Sequence, residues 1–213
     1  FMYNLPDYKD HDPQAVLQFM KEHPFAMIIG ATRDGKPVAT QIPVLIDERE
    51  GRLFLSGHMM RKMDHHLAFE QNPQALCVFS GAHSYVSASW YSNPQQGSTW
   101  NYRSVHARGR MNFLDDAGLV DVMRRTSLHF EGGNAASPTV YDNLPASYTE
   151  RLLKAIVGFE VQVEDLQHVF KLSQNRDAES YRNIIGKLNE GDGDAQEVAR
   201  LMEEQVPKLF PGS

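Results

Sequence analysis

The sequence predicts an α+β fold, mainly β: an antiparallel, Greek-key-like barrel with peripheral helices and a helical extension at the C-terminus. Two observations carry most of that expectation. About six runs rich in β-branched, aliphatic and aromatic residues follow one another through tight polar turns between Phe25 and Leu114. They do not alternate with helices in the βαβ rhythm that a doubly wound parallel sheet requires. A third observation sets the domain organisation. The chain has 213 residues, 41% of them hydrophobic, which is enough for one globular core. From Asp177 it turns helical and charged, interrupted by Asn189 to Asp194. Residues 1–188 are therefore assigned to the barrel domain and 189–213 to the helical extension.

Each element has a local signal. Asp12-Pro13 supplies an N-cap followed by proline at the first helical position, and Val16, Leu17 and Met20 give that helix its apolar face up to His23-Pro24. Phe25 to Thr32 reads as a buried strand. Asp34-Gly35 is a two-residue hairpin signal, and Pro37 to Ile46 returns as the partner strand. After a turn at Asp47 to Gly51, Arg52 to Ser56 alternates as a strand until Gly57-His58 breaks the alternation. Met60, Met63 and Leu67 then recur at helical spacing, and Asn72-Pro73 stops the run. Ala75 to Ser80, Ser84 to Trp90 and Tyr102 to Leu114 read as further strands. Ser92 to Thr99 is polar, rich in Gln, Gly and Pro, and too long for a hairpin turn; binding groups tend to sit on such loops. Asp115-Asp116 caps a helix running to about His129, with Leu119, Val122, Met123 and Thr126 on one face. A linker from Gly132 to Asn143 leads to a helix from Pro145 through Ile156. Val157 to Val163 and Val169 to Ser173 read as two strands that close the sheet. The Gly-Asp-Gly-Asp run at 191–194 lacks the ligand spacing and closing glutamate of a calcium loop and reads as a helix–helix linker.

Composition narrows the function. The formal net charge is −6, from 21 Lys and Arg against 27 Asp and Glu, and the basic pairs are scattered. Tight sequence-independent binding to DNA needs several cations on one face, so this balance does not support DNA as the main partner, although Arg108 and Arg110 share one face of a strand. No apolar run reaches membrane-spanning length and no secretory leader is readable, so the expectation is a soluble, cytoplasmic chain without a membrane partner. Phe1 ahead of Met2 reads as an addition at the N-terminus. The single Cys77, inside Ala75-Leu-Cys-Val-Phe79, is expected to be a buried, inert thiol. The nine histidines show no zinc-helix spacing, and the adjacent His65 and His66 diverge by about 100° on a helix, so no metal is expected. A Ser-His-Asp order, a nucleophile elbow, a Walker loop and a dinucleotide fingerprint are all missing from the sequence, and no catalytic residue is assigned.

Two patterns remain. Arg61-Lys62 falls in the first turn of the short helix, where cations oppose the macrodipole unless an anion is bound there too. A phosphate beside these cations and the Ser56 hydroxyl resolves the mismatch; a solvated surface pair is the alternative. The second pattern is aromatic and amide. Tyr85-Val-Ser-Ala-Ser-Trp90-Tyr91 and Thr99-Trp100-Asn101-Tyr102 flank the polar loop, and Lys171-Leu-Ser-Gln174-Asn175-Arg176 ends a late strand. Aromatics flank a flat ring, while amides and cations meet its carbonyl edge and a phosphate tail. Sheet aromatics packing a core account for the same residues.

Taken together, Gly57-His58, Ala82-His-Ser-Tyr-Val-Ser-Ala-Ser-Trp-Tyr91, Thr99-Trp-Asn-Tyr102, Val105-His-Ala-Arg-Gly109 and Lys171-Leu-Ser-Gln-Asn-Arg176 resemble the PaiB-type negative transcriptional regulators, from Met2 to about Leu188. The resemblance implies an FMN-binding split β-barrel related to pyridoxamine phosphate oxidases, working as a homodimer with FMN at the subunit interface. It implies that Ser56, Arg61 and Lys62 hold the FMN phosphate. Met60 stands where the superfamily often has a serine, and Thr40-Gln41 stands near where it has an arginine on the second strand. Thr40, Gln41, Ser56, Arg61, Lys62, Trp100, Asn101, Lys171, Gln174 and Arg176 form the expected cofactor-binding set. Three functions follow. One is a flavin-dependent oxidoreductase or flavin-linked regulator. Another is a negative transcriptional regulator acting directly or through a partner, for which no helix-turn-helix is readable. The third is a haem-binding or haem-degrading protein, with His58, His83 or His106 as ligands.

Overall fold

The Asp12 carboxylate accepts a hydrogen bond from the Gln14 N–H (2.9 Å), and Pro13 opens α1 (Pro13–Glu22) as the cap signal predicts. The computed structural model describes residues 2, 3 and 5–212, and Phe1, read above as an addition, lies outside them. Along the chain follow β1 (Phe25–Ala31), β2 (Pro37–Pro43), β3 (Leu45–Arg49), β4 (Arg52–Met60), α2 (Asp64–Gln71), β5 (Gln74–Val86) and β6 (Thr99–Phe113). Then come α3 (Asp116–Phe130), α4 (Ala146–Ala155), β7 (Ile156–Lys171), α5 (Ala178–Asn189), α6 (Gly193–Glu203) and α7 (Val206–Leu209).

Four segments differ from the sequence reading. The strand returning from the first hairpin stops at Pro43, and Val44 separates it from β3, which continues through residues read as a turn. The reversal is confined to Glu50 and Gly51, both left-handed (φ 51° and 71°), the backbone that a two-residue hairpin loop requires. Strand β4 runs on to Met60 through Gly57, where the sequence alone suggests a break. A β-carbon at Gly57 would lie 2.9 Å from the Phe159 ring and 3.1 Å from the Pro43 carbonyl oxygen. This glycine therefore serves close packing within the sheet and does not end the strand. The two pairs of short strands expected at 75–90 and 157–173 are one long strand each, β5 and β7, but β5 ends at Val86 and Ala88–Trp90 forms a single 3-10 turn instead of strand.

The chain forms two compact units, each assembled from discontinuous segments. One comprises Gln18–Phe79 and His106–Leu166. The strand order is β2-β1-β5-β6-β7-β4-β3. Within this unit β1 pairs antiparallel with β2, from Phe25↔Pro43 to Ala31↔Pro37, and with β5 through Met27↔Val78 and Ile29↔Leu76. On the other side β4 pairs antiparallel with β3, from Leu45↔Ser56 to Arg49↔Arg52, and with β7, from Phe54↔Gln162 to Met60↔Ile156. The two terminal strands of the order, β2 and β3, are separated along the chain by Val44 alone, so this sheet curls back on itself as a barrel. Ile28, Leu55, Cys77, Phe79, Phe159 and Val161 are fully buried. Burial pushes the Cys77 thiol up to about 12, which leaves it inert, as expected.

Helix α3 lies on the β4 face that carries Phe54, Ser56 and His58. Arg125 of α3 grips both oxygens of Asp47 (2.5 and 2.7 Å), which pairs with Phe54 across the ladder. Leu119 of α3 sits over Gly158, the partner of His58.

The other unit comprises the chain up to Leu17, Ser80–Val105 and Gln167 onward. Here Val86, Tyr91, Leu172, Tyr181, Ile184, Leu188, Val198 and Met202 are buried together. Asp177 and Asp192 cap α5 and α6 by accepting from the Ser180 and Ala195 N–H groups. The Tyr181 hydroxyl donates to the Met202 carbonyl (3.1 Å), pinning α5 to the end of α6. The boundary expected at 188/189 falls inside this unit, whose core includes Ala195, Val198, Leu201 and Met202.

Candidate functional site

The Arg61-Lys62 pair lies between β4 and α2, ahead of the helix and not in its first turn. The cause is local. Met60 is still paired with Ile156, and the Arg61 N–H donates to the Ala155 carbonyl (2.9 Å), which carries the ladder one residue further. Lys62 then takes a left-handed backbone, φ 64°, which a right-handed helix does not admit. Its N–H donates to Nδ1 of His66 (3.2 Å), so Nε2 of His66 carries the ring proton when the imidazole is neutral. His66 is buried and meets the Phe113 ring edge-on, centroids 5.0 Å apart. The turn is thus held by the Ala155 carbonyl on one side and the buried His66 ring on the other, with Lys62 exposed and Arg61 half-buried. The N-terminus of α2 is already complemented by Asp64 in its first turn.

Among the described residues, neither the Arg61 nor the Lys62 side chain has a carboxylate or hydrogen-bond partner. Around them Met60, Met63 and Leu67 are 51%, 46% and 43% exposed, the reverse of the buried helical face that their spacing suggested. Two unneutralised cations on an anchored turn, ringed by exposed apolar side chains, suit a ligand with an anionic tail and a flat apolar body.

Ser56 is placed differently. It is five residues back along β4, roughly 16 Å at about 3.3 Å per residue. Its hydroxyl is buried on the face covered by α3, where neither it nor Nδ1 of His58 has a partner. The structure does not bring Ser56 to the Arg61-Lys62 turn, because β4 continues where the sequence suggested a stop. Thr40 and Gln41 sit on β2 opposite Ile28 and Met27, Thr40 half-buried and Gln41 exposed, so their side chains point to opposite faces. A separate cavity of about 600 Å³ in this unit is lined by Lys21, Val44, Leu45, Arg125, Leu128 and His129 among others, and none of the expected site residues lines it.

The remaining expected residues belong to the other unit. Trp100 is 52% exposed and meets Tyr85 edge-on, centroids 5.9 Å apart. Asn101 is fully buried: its oxygen accepts from the Ser173 hydroxyl (3.0 Å) and its nitrogen reaches the Met202 sulfur (3.3 Å). Gln174 accepts from the Leu172 N–H (2.7 Å) and donates to the Phe170 carbonyl (2.6 Å), closing the turn after β7. Both amides are engaged within the unit. Lys171 donates to the Thr99 hydroxyl and to the Trp100 carbonyl (2.9 Å), and Arg176 lies over the Tyr91 ring with Cζ 4.2 Å from its centroid. The part played by His66 was missed, and no residue type marks it: a histidine four residues after a lysine carries no turn signal.

A family model described as "Putative FMN-binding domain" matches residues 2–165. Over 208 residues the chain is 33% identical to the protease synthase and sporulation protein PAI 2 of Bacillus subtilis, covering 97% of this chain and 99% of that one. The chain belongs to the PaiB-type FMN-binding family. An uncharacterized protein of Aspergillus fumigatus is 32% identical over 132 residues, covering 53% of this PaiB-type chain and 51% of its own. Among solved structures, a conserved hypothetical protein from Mycobacterium tuberculosis superposes with a TM-score of 0.57 at 11% identity, over 79% of this chain and 90% of that one. A flavocytochrome from Azotobacter vinelandii does so with a TM-score of 0.52 at 18% identity, over 81% and 74%. At such identities these two support the split-barrel fold alone. Flavin binding rests on the family. Among the described residues of this PaiB-type chain there is no group of three or more potential metal ligands, and no helix is long and apolar enough to cross a membrane.

Proposed function

We propose that the flavin is FMN, that Arg61 and Lys62 hold its phosphate, and that the protein is a flavin-dependent redox protein acting as a homodimer. The observation that carries this reading is the anchored turn: two cations without carboxylate partners, fixed by the Arg61 and Lys62 N–H bonds to Ala155 and His66. A phosphate dianion completes such a pair through charge-assisted hydrogen bonds. The residues present fit the group at that end. FMN supplies the redox chemistry when bound; the chain supplies the phosphate grip and an apolar surround from Met60 and Met63. The exposed Met60, Met63, Leu67 and Trp100 are surface that a second copy would cover in a dimer. Any regulatory role is then indirect, through a metabolite or partner, because the net charge of −6 gives little to attract DNA.

The test is a pair of titrations. Arg61→Ala combined with Lys62→Ala is expected to weaken FMN at least about tenfold, since each charge-assisted bond contributes roughly 1.5–3 kcal/mol before solvent screening. Riboflavin, which lacks the phosphate, is expected to bind parent and variant alike. Equal affinity of the parent for FMN and riboflavin would remove the phosphate assignment.

A further inference from the structure

Lys171 and Arg176 lie beyond the residues matched by the flavin-binding family model, which end at 165. Both end up in the unit built around α5 and α6. The Arg176 guanidinium stacks on Tyr91 and donates to the Gln96 side-chain oxygen. The Lys171 ammonium bonds the Thr99 hydroxyl and the Trp100 carbonyl and lies 5.9 Å from the centre of the Tyr8 ring. Among the described residues neither cation meets a carboxylate. Asp177, next in sequence to Arg176, is already committed. It accepts from the Ser180 N–H (2.9 Å), the Ser180 hydroxyl (2.7 Å) and the Ser92 hydroxyl (3.3 Å).

Two neighbouring cations, partly withdrawn from water and held by neutral oxygens alone, lack the counter-charge that partly buried cations ordinarily have. Their anchors, Thr99 and Gln96, lie three residues apart on one segment, and the proton affinity of Lys171 is lowered first by burial and then by the Arg176 charge. Two polar atoms in the same place also lack partners: Nε of Arg176 and the hydroxyl of Tyr91, a residue only 5% exposed. Buried polar groups are almost always bonded, so this pair marks a place where a further acceptor fits.

We propose that Lys171, Arg176 and the Tyr91 hydroxyl form an oxyanion site, taking the phosphate or carboxylate of a small molecule other than the flavin. This gives Lys171 and Arg176 a task different from the cofactor contact that the family resemblance implied. A bound oxyanion takes the place of the Gln96 amide oxygen on Arg176 and of the Thr99 hydroxyl on Lys171. Bonds to neutral oxygens become charge-assisted ones. Gln96 and Thr99 both belong to the polar stretch from Ser92 to Thr99, so occupancy of the site also frees that loop from two of its ties.

The experiment is a titration of FMN-loaded protein with inorganic phosphate followed by phosphorus NMR, in which the FMN and inorganic resonances are separate. The expected result is a saturable shift of the inorganic line, weakened at least about tenfold by Arg176→Gln and by Lys171→Gln, as loss of one charge-assisted bond predicts. Tyr91→Phe removes only an unpartnered hydroxyl, so its fold is not at risk, and it is expected to weaken phosphate roughly threefold to tenfold. Succinate is the second probe. Displacement of phosphate by succinate supports the site and opens it to carboxylates, while binding of phosphate alone supports it as phosphate-selective. Saturation by neither probe overturns the proposal, as do superimposable curves for parent and Arg176→Gln. A tenfold loss of FMN in Arg176→Gln with riboflavin unchanged overturns it as well, because the oxyanion is then the flavin's own phosphate. Failure of the Arg61-Lys62 reading is seen separately, in the FMN and riboflavin titrations of that double variant.

Discussion

Gly109, the last residue of the Val105-His-Ala-Arg-Gly109 motif, gives the sharpest test of the barrel. A β-carbon built on it lies 2.0 Å from the Gln162 carbonyl oxygen and 2.8 Å from the carbonyl carbon. Carbon and oxygen do not ordinarily approach closer than about 3.3 Å, so Gly109→Ala forces β6 and β7 apart by roughly 1.3 Å at that point. A ladder bond of about 2.9 Å stretched by that much leaves the range in which it counts as a hydrogen bond. Losing one or two buried backbone pairs costs about 1–3 kcal/mol each, and the stiffer unfolded chain of the alanine variant returns only about 0.4–1 kcal/mol. For two pairs the net expectation is a loss of about 1–5 kcal/mol, which with an m-value near 2 kcal/mol per molar lowers the urea midpoint by about 0.5–2.5 M. Gly186→Ala is the control. Gly186 lies in α5 with nothing within 4 Å of an added β-carbon. That change is expected to raise stability by about 0.5–1 kcal/mol through helix propensity. A Gly109→Ala midpoint within about 0.2 M of the parent would mean that the β6–β7 approach is not as close as described.

Two further outcomes follow from named groups. Burial lowers the pKa of His58 and of His106, the latter with a contribution from Arg108. A base with a depressed folded pKa binds its proton more readily when unfolded, so stability is highest above the unfolded value near 6.5 and is lost as pH falls from there toward the folded values. Urea midpoints measured from about pH 8 down to about pH 5 are expected to fall below neutrality and to fall less in His58→Phe; a flat profile would contradict the burial of these rings. For the dimer, sedimentation at micromolar concentration is expected to give twice the chain mass, and Trp100→Glu to shift it toward the monomer; a monomeric parent would remove the dimer from the functional proposal.

What the sequence made legible, and what it hid, divides along physical lines. Caps and hairpin turns act locally, so α1 behind Asp12-Pro13, the Asp34-Gly35 hairpin and α3 behind Asp115 could all be read from neighbouring residue types. The length of β4 could not, because Gly57 is required above all by Phe159, which lies far away in sequence. The same hidden pairing moved Arg61 and Lys62 out of the helix. A left-handed lysine has no compositional signature, and Met60, Met63 and Leu67 imitate a buried helical stripe while facing outward. Likeness to a family named candidate residues but not their state. That Asn101 and Gln174 spend their amides on Ser173, Leu172 and Phe170, while Arg61 and Lys62 spend nothing, is visible only in the folded chain.

The discontinuous make-up of the two units has a consequence for how the protein is made. The unit holding Arg61 and Lys62 has all of its segments once Leu166 has been synthesised. The unit holding Lys171 and Arg176 begins with the first residues of the chain yet needs everything from Gln167 onward, including Met202, which accepts the Tyr181 hydroxyl. On a ribosome that emits the N-terminus first, the barrel unit has its full complement of strands while the segment before α1 and the Ser92–Thr99 loop still wait for their partners. A message cut short after Leu166 therefore yields a chain that carries the Arg61-Lys62 turn and lacks both residues of the proposed oxyanion pair.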